Sequence, residues 1–364
     1  MDGFFHSRKR RGQTMREQLK SVLYYTLPRK VFNRLILRKV SRTFAVTIPQ
    51  IDRSMRQAAV VGYNLARVLD SFEDEGSKDA FPETERIILM DEFMLLMDRN
   101  RTDREHRRAI YRHISRFARD ANITSHHYRV LLDNTRKVVR AKEKLHPEAQ
   151  VIIVRWLEEM NSGMKKYLLK EVVQFSNLDE YCYYVAGTVG GMMTELMYHF
   201  SGNLPEPEHA DPGLLQKAFS LGKFLQMVNI IRDFRQDALQ KKDYWPASLF
   251  SKTFTKDISL SRQVVKSRAA LQKMVAFAEL HRKAAYEYIM GIANDLPGYR
   301  RFCLLNFIMV NKTLQIIKEN STKVFQSRTQ LKFSRNFLFR ILATDMEGLQ
   351  HLAEGYVMGT PLAG

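Results

Sequence analysis

Through most of this 364-residue chain apolar side chains recur every three or four positions, a period that suits helices and no other regular element. Breakers are sparse, with 17 glycines and 10 prolines, and β-branched alternation is rare. They gather at Pro28, at Glu75-Gly76 through Pro82, at His146-Pro147, from Gly202 to Pro212, at Trp245-Pro246 and from Asn294 to Gly298. Such clusters divide long helices without supplying a linker typical of separate domains. The expectation is an all-α chain with a basic N-terminal arm over 1–40, one helical domain over 41–330 and a C-terminal tail over 331–364. A hydrophobic content of 45% is enough for a large core.

Two cysteines, Cys182 and Cys303, lie far from each other and from any metal-ligand spacing, which argues against a disulfide framework or a zinc site and suits a reducing, cytoplasmic compartment. No apolar run reaches the roughly 18–20 residues that cross a bilayer, and the start, with Arg8-Lys9-Arg10-Arg11, lacks the apolar stretch of a signal peptide. A soluble or peripheral monomer without a transmembrane anchor is expected. The net charge of +19 calls for a polyanionic partner: diphosphates, an anionic membrane surface or nucleic acid. Residues 14–40 combine apolar and basic residues, which reads either as an arm for anionic lipid or as an ordinary helix with a solvated basic face. The second is the simpler. No nucleic-acid partner is expected, because the basic residues are not interleaved with stacking aromatics and no binding motif is present.

Carboxylates inside two of the apolar helical stretches need a reason. Asp70, Glu73 and Asp74 share one helical face, as do Asp233 and Asp237. Clustered acids repel unless a cation compensates them, and Mg²⁺ accepts a few carboxylates while leaving positions for substrate phosphates. Their neighbours suit that chemistry. Tyr63 and Arg67 precede the first cluster at four- and three-residue steps. Upstream, Ser41, Arg42 and Phe44 stand in a group whose hydroxyl and guanidinium suit phosphate oxygens. Gln226, Asn229 and Asp233 share a stripe with Asp237, and Arg232 and Lys242 can neutralise a leaving diphosphate. Between the clusters, Tyr181-Cys182-Tyr183-Tyr184-Val185-Ala186-Gly187-Thr188-Val189-Gly190-Gly191 places glycines in a helix-like run, at a cost of roughly 1 kcal/mol each. Something must approach that backbone, either a neighbouring helix or an isoprenoid tail. Asp79, Glu83 and Glu85 fall in the breaker-rich stretch after the first cluster and are expected in a solvated loop.

These segments, in this order, resemble the squalene and phytoene synthase family. The resemblance rests on Tyr63-x-x-x-Arg67-x-x-Asp70-x-x-Glu73-Asp74, on the run from Tyr181 to Gly190, and on Asn229-Ile230-Ile231-Arg232-Asp233 followed by Trp245-Pro246. It spans roughly residues 40 to 330. Phe302-Cys303 and Tyr244-Trp245-Pro246 look more like the squalene synthase branch. The resemblance implies a class I terpenoid synthase-like helical bundle around a central cavity. It also implies that two farnesyl diphosphates are joined head to head through presqualene diphosphate, then reduced with NADPH. By the same resemblance Mg²⁺ would sit on Asp70, Glu73, Asp74, Asp233 and Asp237, while Tyr63, Arg67, Tyr181 and Phe302 would be catalytic. Tyr181 would help remove a proton, and aromatic rings would shelter the allylic cation.

The chain also departs from the family. Gln236 stands where a glutamate is usual, Asn306 stands where a proline is usual, and Asn311-Lys312 is polar where the family is apolar. No Gly-rich dinucleotide fingerprint is present, so NADPH rests on resemblance alone. The alternatives are a presqualene diphosphate, dehydrosqualene or phytoene synthase without the reductive step, or a non-catalytic relative serving as a membrane-associated assembly factor.

Overall fold

The computed structural model describes residues 24–41, 43–201, 212–240, 242, 244–249, 261–326 and 330–359. Among them there is no β-strand, and they fall into two compact units. The described part of Met1–Ala45 and the segment Val60–His146 form the first, and Val46–Ala59 with the segment from Pro147 onward forms the second.

The first unit contains α1 (Arg29–Val40), the greater part of α2 (Arg53–Asp74), α3 (Glu83–Leu95), α4 (Arg104–Asp120), α5 (His126–Asp133) and α6 (Thr135–Lys142). Its centre is aromatic. Phe72 meets Phe93 and Phe117 edge-on at 5.8 and 5.6 Å, and Phe117 meets Phe81 at 5.1 Å. Helix α4 shows how sequence sets an element here. The Asp103 carboxylate accepts the His106 amide at 2.7 Å and starts the helix, after which Ile110, Ile114, Phe117 and Ala118 form its buried stripe.

Helix α1 buries Phe32, Asn33, Ile36, Leu37 and Val40 against α5 and α6, and leaves Arg29, Lys30, Arg34, Arg38 and Lys39 exposed. Residues 29–40 thus form a helix that packs on the core and exposes its basic face; residues 1–23 of the arm lie outside the described residues. Asn64 on α2 donates to the Asn33 side-chain oxygen at 2.9 Å and to its carbonyl at 3.0 Å, a buried polar tie between the two helices. Glu83 and Glu85 correct the loop expectation. They open α3 in its first turn, where the positive end of the helix dipole favours acids, and Glu85 lies 3.5 Å from Arg116. Asp79 alone of the three is in an exposed turn.

Glu143, at the end of α6, accepts from Arg107 at 3.0 Å and from Arg99, so it joins the C-terminal end of α6 to α4 and the turn before it. Burial would raise its carboxyl, but the bond and charge of Arg99, then Arg107 and Lys142, hold it below the ordinary 4.5. A depressed folded-state value means stability present above 4.5 and lost as pH falls through the lower, folded value. Glu143→Gln is expected to flatten the acid limb of the stability-versus-pH curve. Urea titrations at a series of pH values check this.

The second unit holds α7 (Pro147–Leu168), α8 (Phe175–Cys182), a π-helical turn at Tyr183–Gly187, α9 (Thr188–Phe200), α10 (Pro212–Leu239), α11 (Ser261–Glu279), α12 (Arg282–Met290), α13 (Pro297–Glu319), the short helix Ser321–Gln326, α14 (Arg335–Ala343) and α15 (Met346–Met358). Helix α10 touches α9, the π turn, α11, α12 and α13, and so forms the axis of the unit. Helix α13 is buried along most of its length, and its start is fixed by Asp52, whose carboxylate accepts the Gly298 and Tyr299 amides at 3.2 and 2.9 Å.

The glycines between the acidic clusters make room for protein. A Cβ at Gly190 would stand 2.5 Å from the Ala218 carbonyl oxygen on α10. One at Gly222 would stand 2.3 Å from the Ala186 carbonyl oxygen. The two helices thus approach backbone to backbone, and of the two occupants considered for this face, the neighbouring helix is the one these contacts support. Because the obstructing atoms are backbone and cannot rotate away, Gly222→Ala is expected to destabilise the protein by about 1–3 kcal/mol, measurable as a lower urea midpoint.

Candidate active site

The first acidic cluster closes α2. Arg67 donates one guanidinium nitrogen to Asp70 and the other to the Tyr63 hydroxyl at 3.3 Å. Its plane stands over two rings, with the guanidinium carbon 5.7 Å from the Tyr63 centroid and 5.9 Å from that of Tyr128. Burial opposes the charge, yet Asp70, the Tyr63 and Tyr128 phenols and the bond to Tyr63 together hold it well above the usual arginine range. Tyr128 itself is pushed up to about 12, chiefly by burial. Phe44 meets Tyr63 edge-on at 5.3 Å, and Ser41 caps the turn that carries Phe44 by accepting its amide at 3.1 Å. Tyr63, Arg67, Asp70, Ser41 and Phe44 therefore belong to one constellation. Arg42 lies outside the described residues.

Glu73 is buried and Asp74 half-buried in the last turn of α2, where the negative end of the helix dipole disfavours acids. Arg86 of α3 answers that cost. Only 1% exposed, it donates to the carbonyls of Phe72 at 2.8 Å, Glu73 at 3.2 Å and Glu75 at 2.9 Å, and through Nε to Phe81 at 2.8 Å. Burial lowers its pKa from the ordinary value, opposed by Asp74, Glu83, Glu73 and Glu75. Arg86 and Tyr128 each reach the cluster from another helix and belong to no motif, so no local pattern in the sequence points to them.

The second acidic cluster lies near the C-terminal end of α10. Arg232 pairs with both oxygens of Asp233, Nε to Oδ1 at 2.9 Å and Nη2 to Oδ2 at 2.5 Å. Gln330 donates to Asp233 Oδ1 at 2.8 Å and to Gln236 Oε1 at 3.1 Å, so the residue that replaces the family's usual glutamate sits inside a hydrogen-bonded group. Gln226, Asn229 and Asp237 are half-buried on the same helix. Lys242 donates its backbone amide to the Asp237 carbonyl at 2.9 Å, which turns the chain back at the helix end. Trp245, of the Trp-Pro pair, packs on Phe234 at 4.5 Å and holds that end against the core. Gln330 is 97 residues from Asp233, and no local pattern announced it.

Tyr181 is 3% exposed, stacks on Tyr244 at 5.1 Å and 19°, and meets Tyr167 edge-on at 5.3 Å. Tyr167 in turn donates to Glu180 at 2.7 Å. Phe302 stacks on Tyr299 at 5.9 Å and 16°; the Tyr299 hydroxyl is 2.7 Å from that of Tyr288, which is 2.8 Å from the Thr194 hydroxyl. That buried chain fixes the ring beneath Phe302. Both cysteines are free and buried, with burial pushing the Cys182 thiol well above its usual range. Asn306, in the position where the family has proline, donates to the Phe302 carbonyl at 2.7 Å and to the Thr47 hydroxyl at 3.3 Å.

Among the described residues, no group of three or more His, Cys, Asp or Glu side chains is placed to hold an ion unaided. The donor chemistry nonetheless fits Mg²⁺, which takes one or two carboxylates and completes its shell with phosphate oxygens and water. Asp70 and Asp74, one turn apart on α2, and Asp233 and Asp237, one turn apart on α10, supply hard oxygens in that number. The glycines at 190 and 222 face protein backbone, so neither contributes a cradle for a dinucleotide.

Comparison with known proteins agrees with these features. The squalene/phytoene synthase family matches over residues 37–335. Squalene synthase 1 of Panax ginseng is 30% identical over 312 residues, 84% of this chain and 68% of that protein. Squalene synthase 1 of Arabidopsis thaliana is 28% identical over 302 residues, 82% and 67% of the two chains. The solved complex of TcSQS with a ligand has a TM-score of 0.74 at 28% identity, covering 91% of this chain and 90% of that one. A dehydrosqualene synthase at 19% identity and a TM-score of 0.53 shares the fold. The fold is thus the all-α, class I terpenoid synthase-like one, and the chain belongs to the squalene/phytoene synthase family of prenyltransferase-type enzymes.

Proposed function

We propose that this chain joins two farnesyl diphosphates head to head through presqualene diphosphate and reduces that product to squalene with NADPH. The observation that carries the condensation is that each acidic helix holds an aspartate against its own arginine, Asp70 on Arg67 and Asp233 on Arg232. Metal ligands and counter-charges for a diphosphate are therefore offered from the same helical turn twice in one chain. Residues 41–330 are proposed to act as one catalytic domain, and the family match over 37–335 supports that extent.

Mg²⁺ ions, held by Asp70, Glu73 and Asp74 on α2 and by Asp233 and Asp237 on α10, would polarise the diphosphate oxygens and favour departure of the leaving group. Arg67 and Arg232 then have a second anion to neutralise, and Lys242, Gln226 and Asn229 offer further donors from or beside α10. Ser41 and Arg42 are proposed to bind phosphate oxygens beside Phe44. Loss of diphosphate leaves an allylic cation, for which Phe44, Tyr63 and Phe302 supply aromatic faces that attract positive charge and exclude water. Tyr181 is proposed to accept or relay the proton released as the cyclopropane closes. Its ring is already held between those of Tyr167 and Tyr244. The reductive half rests on the resemblance to squalene synthases, and no residue is assigned to NADPH.

Purified protein supplied with farnesyl diphosphate and Mg²⁺, with and without NADPH, tests the reading through product mass spectrometry. Squalene formed only with NADPH is the expected result. Dehydrosqualene, or phytoene from geranylgeranyl diphosphate, would overturn the reductive step. Absence of any Mg²⁺-dependent turnover would favour the non-catalytic assembly factor.

A further inference from the structure

Three helices of the first unit repeat one charge pattern. On α4, Arg104, Arg108 and Arg112 follow at four-residue spacing and all are exposed. On α6, Arg136 and Arg140 keep the spacing and Lys144 continues it in the turn beyond, again all exposed. On α1 the same steps give Lys30, Arg34 and Arg38. Four residues advance a helix by about 6 Å, so each triplet makes a ridge about 12 Å long. Helix α6 touches both α1 and α4, which places the ridges on neighbouring helices.

Segments 29–40, 104–112 and 135–144 contain two acids, Glu105 and Glu143, and Glu143 is already taken up by Arg99 and Arg107. Among the described residues, none of the nine cations is paired with an acid, whereas Arg99, Arg107 and Arg116 of the same unit each are. Like charges one helical turn apart are mildly destabilising, so the ridges bring the fold no benefit. They suit an external polyanion.

We propose that these ridges dock the protein on an anionic lipid bilayer. Val31, 42% accessible, stands in the first turn of α1 between its basic residues, and Tyr25, 51% accessible, stands just before that helix with its hydroxyl donated to Asp133 at 3.1 Å and its ring open to solvent. An amphipathic ring and an aliphatic side chain there match the boundary between headgroups and acyl chains. Nucleic acid fits less well, since the exposed ring of Tyr25 lies at one end of the basic surface and Tyr111 of α4 is half-buried, so no row of open rings runs between successive cations for bases to stack on. The isoprenoid chains of the proposed substrate and product partition into bilayers, but the docking does not depend on that reaction. Its test reads binding directly.

The full chain is floated with vesicles of phosphatidylcholine alone and of phosphatidylcholine with phosphatidylserine. Each basic residue near such a surface contributes about 1 kcal/mol, roughly fivefold, so R104Q/R108Q/R112Q is expected to lower partitioning onto the anionic vesicles by about 100-fold. R136Q/R140Q/K144Q should do the same. The control K273Q/K283Q/K323Q removes the same charge from exposed positions of the second unit and should leave partitioning unchanged. Its circular dichroism and that of both ridge variants should match the parent. Equal loss in the control would show a net-charge effect and overturn the proposal. So would unchanged binding in both ridge variants, which would place the contact elsewhere. A duplex RNA of mixed sequence, added at physiological salt, completes the test: if it displaces the protein from vesicles and loses affinity in the same variants, the ridges form a nucleic-acid surface and the lipid assignment fails.

Discussion

Asp70→Asn is expected to lower turnover of farnesyl diphosphate by about 10²–10³-fold, the usual effect of removing one preorganised charge-stabilising group. Asparagine keeps the size and helix position of the side chain, so circular dichroism should change little. The substitution removes one carboxylate from the proposed Mg²⁺ set and leaves Arg67 without its charged partner on α2. Raising Mg²⁺ should recover part of the rate if the lost group is a ligand. A rate unchanged by the substitution would remove the first cluster from the mechanism, whatever the product.

Arg86→Met should cost about 3–5 kcal/mol of stability, the range for breaking a buried charge contact by removing one partner. Four carbonyls at the end of α2 and in the following turn, those of Phe72, Glu73, Glu75 and Phe81, would lose their donor in a site that is almost wholly closed to water. Methionine fills much of the volume, so the loss reports hydrogen bonds and charge rather than a void. Arg86→Lys should retain part of the stability, since an ammonium keeps the charge but lacks the planar fork that reaches carbonyls on two sides. Equilibrium urea unfolding of the three proteins measures the differences. A cost below about 1 kcal/mol for the methionine variant would show that α2 needs no such cap.

The helical character of the chain was legible because apolar periodicity and scarce breakers act locally. The candidate site was legible where it lies on one helix. Tyr63, Arg67 and Asp70 are joined by steps of three and four, and the structure links them through the Arg67 guanidinium. Arg232 and Asp233 are adjacent and pair directly. What escaped the sequence arrives from elsewhere in the fold. Arg86 and Tyr128 reach the first cluster from α3 and α5, and Gln330 reaches the second from a segment after α13. The glycines at 190 and 222 show the same limit in another form. Their cost implied a close approach, but only packing reveals that the approaching atoms are carbonyl oxygens of neighbouring backbone. Pro82 and Gly76 close by suggest a loop for Glu83 and Glu85, yet a proline just before a helix and acids in its first turn are also how helices begin.

Head-to-head coupling is the central claim, and withholding NADPH tests it most directly. The protein is incubated with farnesyl diphosphate and Mg²⁺ alone, and the phosphorylated products are resolved by mass spectrometry. The account predicts a thirty-carbon cyclopropyl diphosphate, presqualene diphosphate, with one diphosphate released for every two substrate molecules consumed. Release of farnesol and diphosphate without any thirty-carbon product would contradict it.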